Sequence, residues 1–126
     1  MALHISQEDV ERFATLSGDK APLHTDEAFA RSHGFSGKVV HGALLAAGVS
    51  KLVGMELPGP NAVLERMDLS FRKPVHAPAD LRLTGRVRHI SEAVQSLTLD
   101  ITIQDSSDAV VVTGKTWHRI LTATSE

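Results

Sequence analysis

One stretch constrains this chain more than any other. From Gly42 to Val53, the residues Ala43, Leu44, Leu45, Ala46, Ala47, Val49, Leu52 and Val53 are apolar on nearly every side of a helix. Such a helix must be wrapped by something. The stretch is 12 residues long and contains Lys51, short of the ~20 residues that span a bilayer. The wrapping is therefore expected from the chain itself, as protein core rather than lipid.

The wrapping element lies downstream, where the hydrophobic period changes from helical to two. Four strands are expected. In the first, Val63, Met67, Leu69 and Phe71 share a face with the odd Glu65, while Arg66, Asp68, Ser70 and Arg72 take the other. In the second, Leu81, Leu83 and Val87 alternate with Arg82, Thr84, Arg86 and Arg88; in the third, Leu97, Leu99, Ile101 and Ile103 alternate with polar residues. The fourth, about 109 to 121, is apolar at its start and less regular after Gly114. Pro58–Asn61, Pro74 with Pro78–Asp80, Ser91–Ala93 and Asp105–Asp108 supply short turns that suit antiparallel neighbours.

Upstream, Ser6 and Asp9 have the spacing of a helix cap, and Val10, Phe13, Ala14 and Leu16 carry helical period as far as the Ser17-Gly18 breaker. A first helix is expected near 7 to 17, then a loop over 18 to 24 interrupted by Pro22. Asp26 and Glu27 open one or two more turns before Gly34. Helices followed by strands predict an α+β fold rather than a parallel α/β sheet. One curved antiparallel sheet wrapped around one long apolar central helix is the hot-dog arrangement, and a single domain over 1–126 is expected, with no repeat or linker.

Composition removes several functions. The absence of cysteine excludes disulfides, thiol catalysis and Cys-ligated metal. With 13 Lys and Arg against 15 Asp and Glu, the formal charge of −2 gives no basis for nucleic-acid or membrane binding. The start, Met-Ala-Leu-His-Ile, lacks the basic and apolar regions of a secretory signal, so a cytoplasmic protein is expected. Seven histidines are present, but none pair at i, i+4 on a helix, and no metal is expected. One tryptophan and no tyrosine leave no platform for stacking bases. No phosphate-binding glycine loop is present.

Two places can carry chemistry. In Ser17-Gly-Asp-Lys-Ala-Pro-Leu-His24, an acid and an imidazole lie five residues apart on a segment turned by Gly18 and stiffened by Pro22. Directed into an apolar cleft, Asp19 and His24 would hold a water and move its protons; otherwise they are ordinary loop and turn residues. At His41-Gly42, the free N–H groups of the apolar helix would meet a ligand oxygen, with Gly42 allowing close approach. Alternatively, Gly42 permits tight packing of helix on sheet.

The ordered set Phe13-Ala-Thr-Leu-Ser-Gly-Asp-Lys-Ala-Pro-Leu-His24, Asp26, Phe29-Ala30, Val39-Val-His-Gly42 and Leu69-Ser-Phe-Arg-Lys-Pro-Val75 resembles the MaoC-like, (R)-specific enoyl-CoA hydratase family of hot-dog proteins. The resemblance covers roughly 5 to 120. It implies a homodimer with sheets joined edge to edge and an acyl-thioester tunnel near the interface. It implies that Asp19 and His24 bind the water added to a trans-2-enoyl-CoA, giving a (3R)-3-hydroxyacyl-CoA, and that the Gly42 amide meets the thioester oxygen. It places Ser50 and His41 along the substrate pocket, although the Ser50 hydroxyl has an alternative partner in the carbonyl four residues earlier. The coenzyme A thioester is substrate, and no cofactor is implied. Arg82, Arg86 and Arg88, with Arg72 and Lys73 nearby, either contact coenzyme A phosphates or form a solvated strand face.

One departure stands out: Ala21 replaces the asparagine of the family's Gly-Asp-x-Asn-Pro-Leu-His pattern. It keeps a non-catalytic acyl-thioester-binding protein in view; separately, the sequence does not distinguish coenzyme A from an acyl carrier protein, so a 3-hydroxyacyl-[acyl-carrier-protein] dehydratase is the other alternative. Hot-dog thioesterases generally place an acid on or near the central helix, but none lies between Gly42 and Met55; the first is Glu56. Hydrolysis accordingly ranks below hydration.

Overall fold

Ser6 sets where the first helix begins. Its Oγ accepts from the Asp9 N–H at 3.1 Å and Asp9 Oδ2 accepts from the Ser6 N–H at 2.9 Å, a reciprocal capping box. The helix, α1 (Gln7–Ser17), stops at Gly18, whose φ of 76° is left-handed and whose N–H returns to the Ala14 carbonyl. In this computed structural model, which describes residues 1–122, a strand β1 (Ala2–Ile5) precedes it. After it come α2 (Pro22–Thr25), α3 (Glu27–Ser32), α4 (Gly42–Met55), β2 (Ala62–Phe71), β3 (Ala79–Ser91), β4 (Ser96–Gln104) and β5 (Val110–Ile120). The single-domain expectation extends to 123–126, which lie outside the described residues.

The strands form one antiparallel sheet in the order β1-β3-β4-β5-β2, curled into a half-barrel with α4 against its inner face. This is the α+β hot-dog arrangement. Leu45, Val49, Leu52 and Val53 of α4 are at most 4% exposed and join one core with Leu83, Leu99, Ile101, Ile103 and Val112 of the sheet. Each such side chain, fully buried, contributes about 1.5–3 kcal/mol.

Several expectations need correction. The four downstream strands are present as β2–β5, but among the described residues a fifth joins them: β1 is too short to show a period, and its place comes from pairing with Leu81 and its neighbours on β3. The expected loop over 18 to 24 ends in helix, because Pro22 opens α2 at its first position. On β2 a bulge leaves Glu65 unpaired between Leu64 and Arg66, so the inward parity flips there. Leu64, not Val63, packs on the core, and Val63 is 36% exposed. Val87 likewise lies 43% exposed next to a register shift in β3. Nor is α4 covered all round within one chain: Ala43, Ala47, Ser50 and Lys51 face outward. After Gly114 the strand alternates in space, but its buried positions carry the polar Thr116 and His118, so no apolar period shows in the sequence; a Cβ at Gly114 itself would strike the Asp68 carbonyl oxygen of β2.

Candidate active site

Local hydrogen bonds shape the loop that carries Asp19. The Asp19 N–H donates to Ser17 Oγ at 3.0 Å, and Asp19 Oδ1 accepts from the Ala21 N–H at 3.2 Å, folding the acid back over its own backbone. Pro22 then starts α2, on which the Thr25 hydroxyl closes against the Lys20 and Ala21 carbonyls. His24 sits on this turn of helix. Its Nδ1–H donates to the Val39 carbonyl at 2.7 Å, while the Val39 N–H donates to the Leu23 carbonyl at 3.0 Å. The segment before α4 is thereby fastened to α2, and the tautomer of His24 leaves Nε2 free.

That free nitrogen faces Asp19 Oδ2 across 3.9 Å, with the Asp19 side chain 50% exposed and that of His24 15%. The span is too long for a direct hydrogen bond and is one that a single water bridges. Glu27 steadies the same segment from α3: its carboxylate accepts from Arg31 and from the Lys38 N–H, and these bonds hold it below the usual carboxylate range. His76 Nδ1 adds a bond to the Lys38 carbonyl at 2.9 Å.

A cleft of about 330 Å³ opens beside His24 and is lined by Gly42, Leu45, Phe35, Val39, Phe71 and the strand end at 72–75. Gly42 begins α4 here. It borders the cleft, and a Cβ on it would lie 2.9 Å from the end of the Phe71 ring. A larger groove of about 450 Å³ between β1, α1 and α4 contains none of the expected site residues.

His41 is buried and does not line the cleft; it lies against the His24 ring, centroids 3.9 Å apart, with Nε2 at 2.9 Å from the Asp19 carbonyl oxygen. Ser50 is exposed on the outward face of α4, away from this cleft, and its hydroxyl makes neither the expected pocket contact nor a bond to the preceding turn among the described residues. Arg82 and Arg88 pair with Asp108 and Asp100 at 3.0 and 3.2 Å, which suits a solvated strand face. Arg72 and Lys73, by contrast, reach the cleft. Phe71 and the Val39 carbonyl are site features that sequence reasoning missed. Strand alternation marks Phe71 only as core, and no side-chain pattern announces a backbone acceptor.

Asp19, His24 and His41 offer ligand atoms within 4.8 Å of one another. They are poorly arranged for one ion. The two imidazole planes are inclined by only 22°, so their in-plane lone pairs run side by side instead of converging on a tetrahedral centre.

Fold and site together define a class: a hot-dog domain whose central helix begins at a cleft lined by an imidazole, with a carboxylate 3.9 Å from that imidazole. Residues 1–107 match the family model described as MaoC like domain, and the chain belongs to that family. It is 37% identical over 107 residues to the (R)-specific enoyl-CoA hydratase of Aeromonas caviae, covering 85% of this chain and 80% of that protein. It is 42% identical over 71 residues to the 3-hydroxybutyryl-CoA dehydratase of Methylorubrum extorquens, covering 56% of this chain and 45% of the relative. Among solved structures, the (R)-hydratase from A. caviae involved in PHA biosynthesis superposes with a TM-score of 0.89 at 33% identity, covering 95% of this chain and 91% of that one.

Proposed function

We propose that this chain is an (R)-specific enoyl-CoA hydratase, working reversibly as a 3-hydroxyacyl-CoA dehydratase. The observation that carries the reading is the 3.9 Å span between Asp19 Oδ2 and His24 Nε2, with His24 lining an apolar cleft. A water held by both is placed to add to C3 of a trans-2-enoyl thioester. As its oxygen bonds to C3, the pair takes one of its protons and delivers a proton to C2, so the pair ends unchanged and the product is a (3R)-3-hydroxyacyl thioester. Charge gathering on the thioester oxygen is met by the Gly42 N–H at the positive end of α4. Arg72 and Lys73 at the cleft supply positive charge where coenzyme A phosphates would enter. The reaction needs no cofactor beyond its thioester substrate.

The active form is a homodimer. β2 is a ten-residue strand at the sheet's edge, a template for a second copy, and the outward Ala43 and Ala47 leave apolar surface for one to cover.

The test follows the loss of conjugated-thioester absorbance with crotonyl-CoA, longer trans-2-enoyl-CoAs and the matching acyl-carrier-protein thioesters. Turnover to the (3R) product is expected, with Asp19→Asn and His24→Ala each lowering kcat by about 10²–10⁴-fold and leaving the fold intact. Faster turnover of carrier-protein thioesters would reassign the carrier. No turnover on any chain length or carrier sinks the hydratase reading and leaves a binding protein.

A further inference from the structure

The hydration scheme gives His41 no task, yet its environment is unusual. It is the N-cap residue of α4, where Ser, Thr, Asp or Asn commonly turns a side-chain oxygen onto the helix's first N–H groups, and its own side chain makes no such bond. Instead it is 1% exposed and reaches back to the preceding loop, where Nε2 lies 2.9 Å from the Asp19 carbonyl oxygen. A carbonyl only accepts, so Nε2 carries the proton. Nδ1 is buried without a partner.

A side chain kept merely to fill space would not be an imidazole here. A buried, unpaired acceptor is a penalty that an apolar ring of similar size avoids. What the imidazole adds is a tie. Every other described hydrogen bond of residues 18–21 runs to a residue within five positions, whereas the one from His41 spans 22. The same ring lies against His24, with centroids 3.9 Å apart and planes 22° apart, and Phe13 packs edge-on against it at 4.9 Å.

We infer that His41 is a positioning residue for the acid–base pair, holding the Asp19 backbone through Nε2 and backing His24 with its ring, and so setting the 3.9 Å span between Asp19 Oδ2 and His24 Nε2. It touches no reacting atom. The inference rests on the hydration reading for what the pair does, while what holds the pair is read from the structure alone. An error of about 1 Å in such a constellation typically lowers rate by about 10²-fold.

Two variants separate positioning from packing. His41→Phe keeps a ring against His24 and removes the donor; His41→Gln keeps an N–H able to reach the Asp19 carbonyl and removes the ring. Positioning predicts that His41→Phe loses about 10²-fold in kcat with KM within about threefold and Tm at or above wild type. It predicts that His41→Gln retains more kcat than His41→Phe despite a lower Tm. Activity that follows Tm across the pair, or His41→Phe within about threefold of wild-type kcat, overturns the inference. A second readout needs no substrate: ¹⁵N NMR of the wild-type imidazoles should find His41 protonated at Nε2 and bare at Nδ1. The opposite tautomer overturns the inference even if both variants fail to fold. Should the wild type turn over no enoyl thioester, the hydration reading alone falls, and the NMR result still decides whether His41 makes this tie.

Discussion

Ala21 occupies the N-cap of α2 with φ −53° and ψ 138°, a backbone suited to a capping side chain, and offers none. The family's asparagine at this position would supply an oxygen for the first N–H groups of the turn that carries His24. On the proposed reading, the departure thus lies in the support of the Asp19–His24 pair rather than in its chemistry. Ala21→Asn is expected to raise stability by roughly 0.5–1 kcal/mol without lowering turnover, read from thermal melts beside the hydration assay. A large loss of activity in that variant would show a loop adapted to another ligand. His118 is a second residue whose setting has consequences. It is 2% exposed, bonded through Nε2 to Thr116 Oγ1 at 2.7 Å, and burial lowers its pKa below the ordinary 6.5. The unfolded chain therefore binds a proton at a pH where the folded chain does not. Stability should be full above pH 6.5 and decline as pH falls from there toward the lower folded value. Melts between pH 7.5 and 5.5, compared with His118→Leu, check this; an equal slope in the variant would remove His118 as the cause.

At the scale of elements, the bulge in β2 decides which side chains meet the core. Plain alternation pairs Val63 with Met67, but the unpaired Glu65 shifts the parity and turns Leu64 inward instead. Leu64→Ala should then destabilise by about 1–3 kcal/mol, while Val63→Ala stays within about 0.5 kcal/mol of wild type. Denaturant titration of the two variants reads the difference, and the reverse order would place the bulge elsewhere. The polar Glu65 on an otherwise apolar face was the sequence's trace of this bulge, but alternation alone does not say which neighbour yields. The β2–β5 contact, by contrast, depends on one residue type, since only a glycine at 114 lets the Asp68 backbone come so close.

At the scale of the whole molecule, the sheet ends in a ten-residue strand whose outer edge has no neighbour among the described residues, and the central helix keeps an uncovered face. A second copy joined at β2 would remove the free edge and lengthen the sheet. Apparent Tm should therefore rise with protein concentration, and specific activity should fall on dilution below the dissociation constant. Analytical ultracentrifugation gives the matching mass. A fully active monomer would show that one chain suffices.

The α+β class, the capped first helix, the apolar helix and the alternation of β4 were legible in the residues, because caps and hydrophobic periods act over a few neighbours. Asp19, His24 and Gly42 were legible as candidates for the same reason, through their spacing and residue type. Tertiary structure alone decided that β1 pairs with β3, that Leu64 displaces Val63, and that Phe71 borders Gly42. It also moved His41 from the cleft wall to a buried place behind His24, and left Ser50 outward within one chain. Those outcomes depend on register, on backbone acceptors such as the Val39 and Asp19 carbonyls, and on contacts between distant segments. A pattern of side chains along the chain records none of these, because the backbone groups involved are the same at almost every position.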